Sequence, residues 1–342
     1  MGSMVAIGVD THRDSHVAVA LDGLGGNLGS LTIAADASGY AGLWQWASEL
    51  GSPLFAVEGT GSYGAGLTAF LVAAGGEVFE CERPRRRDCR KGKSDLIDAT
   101  LAAKRLLTGE PLGRPRGGGG VRDDLRLLLM ERQGAVRART AALNGLQAAI
   151  VTGPDTLRTR FRGLDGKQAA KQAARLRSRT DETAVTVSVL RRIALRVQHL
   201  DREIDELDRQ LETITSDLVP ALLQECGVGP VCAAQLVVSS GDPGRMRSEA
   251  SFAALAGTSP VQASSGQTQR HRLNRGGDRQ LNRALHIIAL HRSRWHPDTA
   301  AYHQRLLATG KTPREARRCI KRQLARHFYN QLKTTPPLNL TQ

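Results

Sequence analysis

Aromatic side chains make up only 4% of the 342 residues. A surface on which bases stack against Phe, Tyr and Trp is therefore excluded as the main binding mode. Cysteine is scarce as well: five residues (Cys81, Cys89, Cys226, Cys232, Cys319), an odd number with no CxxC pair. That pattern excludes a disulfide framework and a zinc ribbon, and it fits a reducing, cytoplasmic setting. No apolar run approaches the roughly 18 residues of a membrane span, so no membrane association is expected. No signal peptide is expected either, and Met1-Gly2-Ser3 ahead of Met4 reads as an expression scar. Acid is in deficit. Lys and Arg number 48 against 33 Asp and Glu, a formal net charge of +15, which points to a polyanionic partner rather than a small neutral metabolite.

The charge is unevenly spread. Residues 1–110 carry a net −3, residues 111–220 a net +6 and residues 221–342 a net +12. An acidic first third can hold metal ions while the basic remainder holds phosphates. Apolar periodicity draws similar boundaries, giving expected domains at 4–110, 111–220 and 221–335. In the first, Val5–Asp10, His16–Leu21, Leu28–Ala34, Leu54–Glu58 and Glu77–Cys81 read as strands. Gly39–Leu50, Ala65–Ala74 and Ser94–Leu107 read as helices, so the domain is α/β with a mixed sheet. The Gly- and Pro-rich segment 109–120 reads as a linker.

Beyond it, Asp123–Val151 is helical. A second helix from near Val185 repeats apolar residues at Ile193, Val197, Leu200, Ile204, Leu207, Leu211, Ile214 and Leu218. This spacing of about 3.5 residues is that of a coiled-coil seam, and it fits one helix of an intramolecular bundle as well as an intermolecular zipper. In the last third, Leu222–Val238 reads as helix, tight turn (Gly227-Val-Gly-Pro230) and helix, in the manner of a helix-hairpin-helix. Ser248–Gly257 reads as a helix, followed by a turn-rich segment to Gly277 and helices from Arg279 and Pro313 onward.

Four carboxylates stand where chemistry can use them. Asp10 and Glu58 end strands, and Asp95 and Asp98 lie at i and i+3 at a helix start. Singly, each fits a capping role. Together they repel unless divalent cations compensate them, and oxygen-only ligands point to Mg²⁺ or Mn²⁺. Two such ions, about 3.5–4 Å apart, would serve in-line displacement at phosphorus. Beside them, residues 83–93 hold seven basic residues and one acid; Arg83, Arg85, Arg86, Arg87, Arg90 and Lys93 are candidates for a phosphate chain. His12 and His16 flank a turn, and His271, His286, His291 and His296 lack zinc spacing, so no histidine metal site is expected.

Several runs resemble one family in order and spacing: Val9-Asp10-Thr11-His12, Val57-Glu58-Gly-Thr-Gly-Ser-Tyr63, Gly92-Lys-Ser-Asp95-Leu-Ile-Asp98-Ala99, Ala263-Ser-Ser-Gly266 and the run from Arg272 to Leu281. They are similar to the DEDD transposases of the insertion-sequence 110 family, bridge-RNA-guided and Piv-invertase-like. The resemblance covers nearly the whole chain. It implies an RNase H-like (RuvC-like) catalytic domain, a helical coiled-coil middle region and a mainly α C-terminal transposase domain. It also implies recombination of donor and target DNA guided by a structured bridge RNA, in a homodimer or homotetramer. The metal-binding tetrad falls on Asp10, Glu58, Asp95 and Asp98. The catalytic serine that joins DNA falls on Ser265, which directly precedes a glycine, with Ser264 as its close rival.

Around that serine, Arg270, Arg272, Arg275, Arg279 and Arg283 are dense. A second basic helix carries Lys311, Lys321 and Arg322 among others, with Glu315 the only acid between 311 and 326. These read as contacts to nucleic-acid backbones. Three rival functions remain open from the residues. One is an RNase H-fold nuclease or Holliday-junction resolvase that uses water as nucleophile. The others are a non-enzymatic RNA-binding scaffold and a sugar-kinase-like phosphotransferase.

Overall fold

A computed structural model describes residues 3–81, 94–109, 112–115, 120–177, 184–241, 246, 248–262, 271–272, 274 and 276–334. The chain divides into two compact units. One comprises residues 1–122 with 240–252 and 332–342; the other comprises 123–239 and 253–331.

The first unit is an α/β layer. Its strands are β1 (Met4–Thr11), β2 (Ser15–Leu21), β3 (Asn27–Ala34), β4 (Ser52–Glu58) and β5 (Glu77–Cys81). They form one mixed sheet in the order β3-β2-β1-β4-β5. The β1–β2 and β2–β3 pairs are antiparallel, whereas β1–β4 and β4–β5 are parallel. Helices α1 (Ala37–Leu50), α2 (Ala65–Ala73) and α3 (Asp95–Leu107) complete the element order read from the sequence. Asp36 caps α1 by accepting from the Gly39 amide at 2.9 Å, which satisfies one of the helix's orphan donors.

Alternation along the strands sends odd and even residues to opposite faces. Val5, Ile7 and Val9 of β1, with Phe55 and Val57 of β4, join Leu43, Ala47, Leu67 and Leu71 of α1 and α2. Full burial of such side chains stabilises the fold by about 1.5–3 kcal/mol each. Ala6 of β1 packs with Ala99 and Ala103 of α3, and Ala56 of β4 with Ala102. The even face therefore belongs to α3, and that face also carries Asp10 and Glu58. Contact is close because of Gly8: a Cβ there would stand 2.0 Å from the Ala99 carbonyl oxygen and 2.3 Å from the Ala103 nitrogen.

The second unit is helical. Long helices α4 (Gly120–Val151) and α7 (Ala184–Leu218) flank α5 (Asp155–Phe161) and α6 (Gly166–Ala174). Leu146, Ile150, Leu157, Phe161 and three alanines of α6 pack on Val187, Leu190, Ala194 and Val197 of α7. Further along, Ala135 and Val136 of α4 pack on Leu200 and Ile204. Arg139 meets Asp201 at 2.9 Å, and Arg132 donates Nη2 to Asp208 at 3.1 Å. The apolar stripe of α7 is thus occupied within the chain, with Leu207 and Leu211 also buried, as a helix of an intramolecular bundle requires.

The remaining elements are α8 (Pro220–Leu223), α9 (Pro230–Ser240), α10 (Glu249–Leu255), β6 (Val261–Gln262), β7 (His271–Arg272), α11 (Arg279–Trp295), α12 (Pro297–Ala308) and α13 (Pro313–Thr334). The helix expected before the Gly227–Pro230 turn is only the four residues of α8. The basic sequence from Arg279 breaks at His296, which caps α12 ahead of Pro297.

Candidate active site

Asp10 lies one residue before the end of β1. Register pairs Val9 with Val57, so the parallel neighbour of Asp10 is Glu58, the last residue of β4. Both are buried. Thr11 Oγ1 donates to the Glu58 carbonyl at 2.8 Å and ties the two strand ends together. Beyond Glu58 the chain turns sharply. The Ser62 and Gly64 amides donate to the Gly59 carbonyl at 2.8 and 3.1 Å before α2 begins.

Helix α3 brings the other two acids. Ala99, Ala102 and Ala103 are buried against the sheet, which seats the helix with its first turn above the ends of β1 and β4. Asp95 and Asp98 both lie in that turn, where carboxylates favour the positive end of the helix dipole. His12 Nε2 stands 3.3 Å from Asp10 Oδ2 and 3.3 Å from Asp95 Oδ1. Ligand atoms of Asp10, His12 and Asp95 all lie within 4.8 Å of one another, and among the described residues this is the group suited to a metal ion. Glu58 ends β4 on the α3 side of the sheet and Asp98 lies in the first turn of α3; neither belongs to that group.

The donor set fits a divalent cation. Two carboxylates from separate elements converge on one imidazole nitrogen, and one of them, Asp10, is buried. From the sequence no histidine metal site is expected, yet the fold brings His12 beside two of the acids. Zinc-type spacing does not display this grouping, because His12 stands beside carboxylates that come from a strand and a helix. Position i+2 from Asp10 was the available signal, since residues two apart along an extended chain share a face.

His16 is different in kind. It is buried in β2, stacks on Tyr40 with ring centroids 5.8 Å apart, and places Nδ1 3.0 Å from the Ser15 carbonyl. Burial lowers its pKa; the Ser15 contact opposes this and nearby His12 adds to it.

The cationic and serine candidates divide three ways. Arg83, Arg85, Arg86, Arg87, Arg90 and Lys93 lie outside the described residues, as do Ser264, Ser265, Arg270, Arg275 and the side chain of Arg272. The segment 263–270 joins β6 to β7, whose antiparallel ladder pairs Val261 with Arg272 and Gln262 with His271. Arg279, Arg283 and Lys311 are exposed, and Arg322 is half-buried.

Lys321 is a correction. It is 7% exposed, and its Nζ donates to Asn282 Oδ1 at 2.8 Å. Asn282 Nδ2 in turn donates to the Ala256 carbonyl at 2.6 Å. Burial lowers the Lys321 pKa, and Arg318 adds to the effect. Its ammonium therefore ties α13 to α11 instead of facing solvent.

The run from Arg272 to Leu281 also has a structural task. Asp278 caps α11 by accepting from the Gln280 and Leu281 amides at 2.8 and 3.1 Å, and it accepts from Ser239 Oγ at 2.6 Å. Gly277 has φ +93°, and a Cβ there would stand 2.4 Å from the Leu255 carbonyl oxygen. Arg283, expected at a nucleic-acid backbone, also borders a cationic surface whose other arginines the sequence reading does not single out. In the second unit, a groove of about 810 Å³ between α4, α9 and α11 is lined by Arg126, Arg132, Arg137 and Arg283 beside Met130 and Ile287.

Comparison with known proteins follows these two halves. Residues 7–152 match the model for DEDD transposases of IS110 type, described as "Transposase". Residues 220–304 match that of the "Transposase IS116/IS110/IS902 family". The chain belongs to the IS110 family of DEDD transposases. The IS900 "uncharacterized 42 kDa protein" of Mycobacterium paratuberculosis is 26% identical over 375 residues, covering 92% of each chain. The IS110 "uncharacterized 43.6 kDa protein" of Streptomyces coelicolor is 36% identical over 107 residues, covering 31% of this chain and 26% of that one. A Pseudomonas aeruginosa protein named as a family 20 transposase is 30% identical over 157 residues, covering 45% and 46%. This protein is thus a DNA transposase. Its mixed sheet agrees with an RNase H-like catalytic domain, and no described helix is long and apolar enough to cross a membrane.

Proposed function

We propose that the transposase cleaves and exchanges DNA strands with Mg²⁺ or Mn²⁺ ions held by Asp10, Glu58, Asp95 and Asp98, and with Ser265 as the attacking group. The observation that carries this reading is the meeting of Asp10 and Asp95, 85 positions apart in the sequence, at one imidazole nitrogen. Bound ions would neutralise the acids and polarise the phosphate for in-line displacement. The protein's own share is placement. Buried Asp10 and Glu58 are fixed by strand register, and Asp95 and Asp98 by the seating of α3 on the sheet.

In the proposed step the serine Oγ bonds to phosphorus, one P–O bond of the strand breaks, and the leaving sugar oxygen gains a proton. The phosphodiester energy is kept in the protein–DNA bond, so rejoining needs no ATP. Basic surfaces at Arg279, Arg283 and Lys311 support backbone contact. Contact of that kind suits an enzyme whose target is chosen by pairing with a structured RNA. Domains at 4–110, 111–220 and 221–335 and assembly as a homodimer or homotetramer belong to the same reading.

Purified transposase, its copurifying RNA and a labelled DNA duplex provide the test. Covalent protein–DNA product should form with Mg²⁺ or Mn²⁺ and vanish in Asp10→Asn and in Ser265→Ala. Cleavage that persists in Ser265→Ala would instead favour water as the nucleophile. Sequencing the copurified RNA should return a transcript from the flanks of the transposase's own gene.

A further inference from the structure

We infer that His12 is a metal ligand of the transposase, so that the acidic site is a mixed nitrogen and oxygen site rather than one built from carboxylates alone. This rests on the metal reading above and deepens it.

Gly8, Asp10 and His12 alternate onto the α3 side at the end of β1, and His12 follows directly on the strand. Its amide donates to the Ser15 carbonyl at 3.1 Å, which fixes the tip of the β1–β2 turn. The turn therefore holds the imidazole beside Asp10 through the backbone, without help from the side chain.

His12 Nε2 is equally far, 3.3 Å, from Asp10 Oδ2 and Asp95 Oδ1. Both separations lie just beyond the ~2.7–3.2 Å range of N–H···O bonds, and one ring N–H shared between two oxygens makes only a weak three-centre bond. Neighbouring donors around an octahedral cation with bonds of ~2.1 Å lie about 3 Å apart. The spacing suits donors around an ion better than a hydrogen-bonded clamp.

Mg²⁺ is held almost wholly by oxygen, whereas an imidazole donor favours metals later in the transition series. A His12 ligand should tilt the site toward Mn²⁺ over Mg²⁺.

The test is Mn²⁺ binding to the full-length transposase, with and without a DNA duplex, followed by pulsed electron paramagnetic resonance. We expect a ¹⁴N hyperfine coupling from imidazole that changes to the ¹⁵N pattern on histidine labelling and disappears in His12→Ala. Mn²⁺ affinity in His12→Ala should fall about tenfold or more, with Mg²⁺ affinity changed far less. Circular dichroism should show both proteins equally folded, since His12 is half exposed. Stoichiometric Mn²⁺ with no nitrogen coupling, or a coupling that survives His12→Ala, would overturn the role of His12 and leave the carboxylate site standing. Equal and negligible Mn²⁺ binding by the wild type and Asp10→Asn, with DNA present, would overturn the metal reading itself.

Discussion

At the scale of single residues, burial decides what a titratable group contributes. Burial holds the pKa of His16 below its ordinary value in the fold, while the unfolded chain takes up a proton near its ordinary pKa of about 6.5. The unfolded state then binds more protons, so stability is full above that value and falls as pH drops through it. Thermal melts at pH 7.5 and 5.5 should show this loss, and His16→Phe should flatten it; an unchanged slope would refute the assignment. Glu225 behaves as an acid in the same sense, in a lower window. Burial works to raise its pKa, but His327, the Gln331 side chain and Arg292 together hold it below the ordinary value. Arg292 approaches at 3.2 Å and His327 at 3.1 Å. The stability this contributes is present above the unfolded pKa and disappears as pH falls through the depressed one. Glu225→Gln should therefore destabilise the protein at pH 7, and the difference from wild type should shrink under acid.

At the scale of elements, two contacts carry the placement of whole helices. Gly8 lets α3 lie on β1, and any side chain there meets helix backbone, which cannot swing aside. Gly8→Val should cost at least the ~1–3 kcal/mol typical of overpacking. It should also lower Mn²⁺ affinity, because Asp95 and Asp98 move with the helix; a normal affinity in a folded variant would contradict this. Between α4 and α7, Arg132–Asp208 and Arg139–Asp201 are part-buried pairs. A double-mutant cycle on either should give a coupling of about 0.5–1 kcal/mol.

Much of this scale was legible in advance. The strands of the first unit announced themselves through apolar alternation, and α7 through its seam. Helices α5 and α6 were missed because α6 buries only Ala169, Ala170 and Ala173, which leave no strong apolar stripe among Lys and Gln. Its Asp165 and Gln168 form a capping box, and that four-residue signal was there to be read. Lys321 was misjudged by charge alone. It adjoins Ile320 and lies one turn from Leu324, both buried, so helical period placed it inward. The convergence of Asp10, His12 and Asp95 depends on register and on a glycine contact, neither of which one sequence displays.

At the scale of the whole molecule, charge sets the terms of association. With an excess concentrated after residue 110, binding to DNA or RNA should weaken steeply with salt, the logarithm of affinity falling by about 0.9 per phosphate neutralised. Arg279→Ala and Arg283→Ala should each reduce that slope by roughly one, measurable by titration across salt concentrations. An unaltered slope would remove these arginines from the interface. The seating of α3 has one more effect. A helix pressed against a strand at a glycine leaves no room for a loosened intermediate that still works. Under mild denaturant the number of competent molecules should fall in step with the folded fraction, while each survivor turns over at its full rate.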